Sequence, residues 1–172
     1  MEIEQASQPR ILLVDDDPVI GETLKAVLEM HEFEVIGAGN VVDALHIIDT
    51  QAFDVLLSDL HMPSAVDGLT VMSAMRHKHP DAIALLLTGS PAVKDTMDAI
   101  LLQADEILVK PMPIDEMVAL IRDRLAKRVE RRVSNAKRAA SLLERGALPN
   151  VANRLFAFKS DDELPPIRLS DE

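Results

Sequence analysis

Short continuous apolar runs alternate along this chain with longer segments whose apolar residues recur at the helical period. The runs are RILLV (10–14), EVIGA (34–38), DVLLS (54–58), AIALLL (82–87) and EILV (106–109). Their length and their lack of polar alternation predict strands covered on both faces, the habit of a parallel sheet. Helices are predicted between them. One runs from Pro18 to about Glu29, with proline in the first turn, where its missing N–H costs nothing. The next follows Asn40, a good N-cap for VVDALHIIDTQ. Gly68 to His77 carries Leu69, Met72 and Met75 at helical spacing, and Pro91 opens another helix through about Gln103. A last helix starts near Ile114. Five βα units in about 125 residues predict an α/β fold: a doubly wound, five-stranded parallel sheet with helices on both faces.

The last helix does not stop where such a domain should. Val118, Ile121, Leu125, Val129, Val133, Ala136, Ala140 and Leu143 form an apolar seam with about 3.6 residues per step. Gly146 and Pro149 end it. Residues 122–145 carry nine Lys and Arg against three acids. Three readings stay open for this segment: a solvated face, a homodimer seam along helix 114–145, or a weak nucleic-acid contact. VANRLFAF (151–158) could add a short helix, and KSDDELPPIRLSDE reads as a polar tail. The chain divides accordingly into an N-terminal tail (1–8), a domain (9–127) and a C-terminal helical extension with its tail (128–172).

Composition narrows the function. The chain of 172 residues has no cysteine, so thiolate metal sites, disulfides and cysteine nucleophiles are excluded. The N-terminus lacks a basic start followed by an apolar run, and no apolar stretch is long enough to span a bilayer; a cytoplasmic protein is expected. Residues 1–113 hold 19 Asp and Glu against 6 Lys and Arg. Such a body repels nucleic acid and attracts cations or basic partners. With four Phe and no Tyr or Trp, base-stacking platforms are disfavoured too.

Open parallel sheets bind ligands beyond the carboxyl ends of their strands. The polar residues there are Asp15 and Asp16 after the first strand, Asp59 after the third, Thr88 after the fourth and Lys110 after the fifth. The second strand ends in Gly37-Ala38-Gly39 and contributes none. Three converging carboxylates repel one another and call for a cation. Mg²⁺, a hard ion that takes oxygen ligands and bridges carboxylate to phosphate, answers that need. A lone carboxylate beside an acidic pair, a hydroxyl and a lysine suits attack on phosphorus, with metal and lysine neutralising the equatorial oxygens.

ILLVDDDP, LLSDLHMP, DGL, LLLTGS and ILVKP resemble, in order and roughly in spacing, the motifs of two-component response-regulator receiver domains. The likeness covers about residues 9–127. It implies a flavodoxin-like sheet of order 2-1-3-4-5. It also implies phosphorylation of Asp59 by a histidine kinase or a phosphotransfer protein, and signalling by conformational change. Asp16 would ligate Mg²⁺ directly, Asp15 largely through water, and the backbone carbonyl of His61 would complete the protein ligands. Asp59 and Lys110 would carry the chemistry. Thr88 would contact the phosphoryl group, and the Lys110–Pro111 peptide would be cis.

Two departures stand out. Ile107 occupies the position, three before the lysine, that usually holds Tyr or Phe, so the usual aromatic switch is in question. The loop MPSAVDG is one residue longer than the common form. His61 and Ser90 sit where side chains would influence the lifetime of the phosphoryl group. A competing enzyme reading also exists. Asp15-Asp16-Asp17-Pro18-Val19 fits the Asp-x-Asp-x-Val start of haloacid-dehalogenase-like phosphatases, with Asp15 and Asp17 as the acting pair. That reading lacks a later acidic pair at a strand end, since Asp115 and Glu116 fall at a helix start, and it leaves Asp59 unexplained.

Overall fold

The computed structural model describes residues 8–62, 65–89 and 104–144. Over these residues the elements are β1 (Arg10–Val14), α1 (Pro18–Met30), β2 (Glu34–Ala38), α2 (Val41–Thr50), β3 (Val55–Asp59), α3 (Ala65–Lys78), β4 (Ile83–Thr88), β5 (Glu106–Val109) and α4 (Ile114–Glu144). All strand pairs are parallel and the sheet order is β2-β1-β3-β4-β5. The expected helix over 91–103 and the readings for Ser90 and residues 145–172 lie outside the described residues.

Continuous apolar strands place successive side chains on opposite faces. Leu12, Val14, Leu56, Ala84 and Leu86 face α2 and α3, where Ala44, Ile48, Val71, Met72 and Met75 complete one buried layer. Ile11, Leu13, Leu57, Leu85 and Leu87 face the other way, against Leu28 of α1 and Met117, Val118 and Ile121 of α4. Met72 and Met75 of α3 are therefore packing residues, as their spacing suggested.

Helix starts follow the expected chemistry. Asp17 caps α1, its carboxylate accepting from the backbone N–H groups of Val19 and Ile20. Asn40 caps α2 by accepting from Asp43 N–H. Helix α3 begins at Ala65, three residues before the expected start at Gly68. The glycine lies within the helix because the chain packs too closely there for a side chain. A Cβ on Gly68 would stand 2.6 Å from the Asp59 carbonyl oxygen, 2.8 Å from Leu60 Cα and 2.9 Å from the Leu60 carbonyl oxygen.

At the amino ends of the strands, Asp54 joins distant segments. Its carboxylate accepts from Arg10 N–H at 2.9 Å and pairs with the Arg128 guanidinium, which also donates to the Asp54 carbonyl. Among the described residues, those up to Arg128 form one compact unit and those from Val129 a second. No helix among the described residues is long and apolar enough to cross a membrane.

Candidate functional site

The carboxyl ends of β1, β3, β4 and β5 bring the expected residues to one edge of the sheet. Asp15 follows β1 and is fixed twice: its N–H donates to the Ala38 carbonyl, and its Oδ1 accepts from Asp17 N–H at 2.9 Å. Its side chain is 1% exposed. Asp59 closes β3 and is half-buried, with Oδ1 accepting from His61 N–H at 3.1 Å. Asp16 is exposed at the mouth. Carboxylate oxygens of Asp15, Asp16 and Asp59 lie within 4.8 Å of one another.

Lys110 follows β5 and is held by its own backbone, whose N–H donates to the Thr88 carbonyl at 2.7 Å. The Lys110–Pro111 peptide is cis. Its ammonium donates to Asp59 Oδ2 at 2.8 Å and to Asp15 Oδ2 at 3.0 Å. Burial pulls the Lys110 pKa down, but hydrogen bonds to Asp59 and Asp15 and the charges of both carboxylates outweigh it, leaving it above the ordinary lysine value. Three carboxylates and one ammonium leave a net double negative charge, which suits one divalent ion. The donors are hard oxygens, and the exposed Asp16 leaves room for the waters that Mg²⁺ retains.

Thr88 is the fully buried last residue of β4. Ile107 pairs with Leu86 in the sheet and is half-buried against the layer that contains Leu56 and Leu60; it supplies no polar group. Asp17 is spent on capping α1, so the Asp15/Asp17 pair of the phosphatase reading is not assembled. Sequence reasoning passed over Ser58. This fully buried hydroxyl donates to the Asp59 carbonyl at 3.0 Å, and a serine inside an apolar strand was its only signal.

The sequence matches the family described as Response regulator receiver domain over residues 11–122, most of the chain. The chain belongs to that family. The DNA-binding dual master transcriptional regulator RpaA of Synechocystis sp. is 32% identical over 152 residues, covering 87% of this chain and 62% of that relative. The chain spans about half to three-fifths of the length of the curated relatives it matches. A CheY-like response regulator receiver domain protein from Methanospirillum hungatei superposes with a TM-score of 0.66 at 25% identity, covering 73% of this chain and 99% of that structure. The response regulator protein TrrA from Thermotoga maritima, solved in complex with Mg(2+)-BeF, gives 0.60 at 32% identity, covering 68% and 99%. The receiver domain therefore has the expected flavodoxin-like sheet, and the comparisons favour two-component signalling over phosphatase chemistry.

Proposed function

We propose that this receiver domain accepts a phosphoryl group on Asp59 from a histidine kinase or a phosphotransfer protein, in a Mg²⁺-dependent reaction, and signals through an altered surface. The observation that carries the reading is the Lys110 ammonium shared between Asp59 and Asp15, with an Asp16 oxygen within the same cluster. Asp15, Asp16, Asp59 and the His61 carbonyl would hold the ion. Bound Mg²⁺ supplies positive charge against the phosphoryl oxygens.

The chain's own groups do the rest. An oxygen of the Asp59 carboxylate attacks phosphorus as the donor's N–P bond breaks, and the electron pair returns to the donor imidazole. The product is an acyl phosphate. Lys110, already beside Asp59, pairs with the transferred oxygens, and its backbone tie to Thr88 keeps it there. The Thr88 hydroxyl would contact the added oxygens. With Ile107 in place of an aromatic residue, that movement is passed on by packing against the core. The domain is a phosphoacceptor that takes part in its own phosphorylation rather than a turnover enzyme. A kinase-supplied phosphoryl group comes from cytoplasmic ATP, so the domain works in that compartment.

Incubation with a small acyl phosphate and Mg²⁺ tests this. The intact mass gains one phosphoryl group, chelation abolishes the gain, and Asp59→Ala removes it. Labelling that survives Asp59→Ala would overturn the reading.

A further inference from the structure

Ser58 is a polar residue in an apolar place. Along β3 it shares with Leu56 the sheet face that packs against α2 and α3, and it is 0% exposed. Its neighbours across the sheet are Val14 on β1 and Leu86 on β4. Among the described residues its hydroxyl makes one hydrogen bond, to the Asp59 carbonyl at 3.0 Å. The register with β1 ends at the Val14–Ser58 pair, so Asp59 has no partner residue on that strand. Gly68 closes on the same carbonyl from α3: a Cβ there would stand 2.6 Å from the oxygen, so no water fits between the two.

We propose that Ser58 is a positioning residue for the phosphoacceptor site, its hydroxyl setting the plane of the Asp59–Leu60 peptide. That peptide is held at both ends. Ser58 donates to its oxygen, and its own N–H donates to the Leu87 carbonyl at 2.8 Å. The peptide is also the covalent link between the nucleophile and the residue that serves it. One residue on, His61 N–H donates to Asp59 Oδ1 at 3.1 Å, and the His61 carbonyl is the backbone group proposed to hold Mg²⁺. A turn of the peptide would carry both His61 groups away from the carboxylate. Groups that orient metal ligands in this way typically change affinity or rate by tenfold to a hundredfold when lost. The inference rests on the phosphoacceptor reading and adds to it a residue that touches neither ion nor phosphoryl group.

Ser58→Thr and Ser58→Val have the same shape and differ by the hydroxyl, so strain from the added bulk is common to both; Ser58→Ala adds no bulk. In the metal-free protein, hydrogen exchange at the Leu60 amide reads the peptide itself. Ser58→Ala and Ser58→Val speed it about tenfold relative to the core amides of β1, the equivalent of one hydrogen bond, and Ser58→Thr keeps it near the parent rate. Calorimetric titration with MgCl₂ gives a Kd about tenfold higher in Ser58→Ala and Ser58→Val, labelling of Asp59 by a small acyl phosphate slows with it, and Ser58→Thr rescues both. Parent-like Mg²⁺ affinity and labelling in Ser58→Ala, or equal losses in Ser58→Thr and Ser58→Val, would overturn the proposal. The hydroxyl would then only satisfy a buried carbonyl, an effect that urea unfolding alone registers. Exchange that rises equally at every amide would overturn it too. Failure of the parent protein to take a phosphoryl group would fell the phosphoacceptor reading instead, and Leu60 exchange without metal would still judge the Ser58 contact.

Discussion

Replacing Gly68 by alanine pushes a methyl group into the backbone that leaves β3. The new carbon would meet the Asp59 carbonyl oxygen at 2.6 Å, Leu60 Cα at 2.8 Å and the Leu60 carbonyl oxygen at 2.9 Å. All three are main-chain atoms, so no side chain can rotate away. Relief requires α3 or the chain after Asp59 to move. Overpacking of this kind costs about 3 kcal/mol, the upper part of the usual range, because the neighbours are rigid. For a domain of this size that lowers Tm by roughly 10 °C. Gly21 is the internal control. It lies in α1, and a Cβ there would meet nothing within 4 Å. Gly21→Ala gains about 0.5 to 1 kcal/mol from helix propensity and a less flexible unfolded chain. Urea unfolding of the two variants beside the unmodified protein measures both. Opposite signs are expected. A Gly68→Ala domain within about 0.5 kcal/mol of the parent would refute the close approach of α3 to β3.

Further consequences follow from the charges. Lys110→Met leaves the buried Asp15 carboxylate without its counter-charge and costs about 2 kcal/mol near neutral pH, discounted for the lysine's partial exposure. Because the Lys110 pKa is raised in the folded state, its stabilisation is complete below the ordinary lysine value of about 10.4 and fades as pH climbs through the higher folded value. Urea titrations from neutral pH upward should show the gap between parent and Lys110→Met closing only in strong alkali; a gap that closes near neutrality contradicts the paired geometry. If Mg²⁺ binds the native carboxylates, it stabilises the fold by mass action, by about 2.7 kcal/mol at a hundredfold excess over Kd. A thermal shift with MgCl₂ should appear in the parent and shrink sharply in Asp16→Asn; an equal shift in both would place the ion elsewhere. At the other end of the sheet, Asp54→Ala removes a carboxylate bonded to Arg10 and Arg128. It should cost about 2 kcal/mol in unfolding experiments without changing phosphorylation of Asp59.

Local signals carried most of the fold. RILLV and AIALLL are strands covered on both faces, as unbroken apolar runs imply, while Asp17 caps the helix after β1 and Asn40 the helix after β2. Boundaries moved where tertiary contact overrode propensity. Gly68 looked like a helix start, yet it is an interior residue kept bare by the backbone of β3. The candidate site was legible because strand ends converge in a parallel sheet, so Asp15, Asp16, Asp59 and Lys110 could be grouped before any distance was known. The Asp54 junction was not legible. Its partners lie 44 and 74 residues away in sequence, and an aspartate before a strand carries no sign of which arginine it will meet. Ser58 was hidden for a related reason: its role is a bond to the Asp59 carbonyl, not membership of a motif.

The identity of the modified residue tests the central claim most directly. After treatment with an acyl phosphate and Mg²⁺, borohydride reduces an aspartyl phosphate to homoserine, and peptide sequencing by mass spectrometry locates the change. The account predicts homoserine at position 59 and nowhere else. Homoserine at Asp15 or Asp16, or none at any aspartate after repeated treatment, would contradict it.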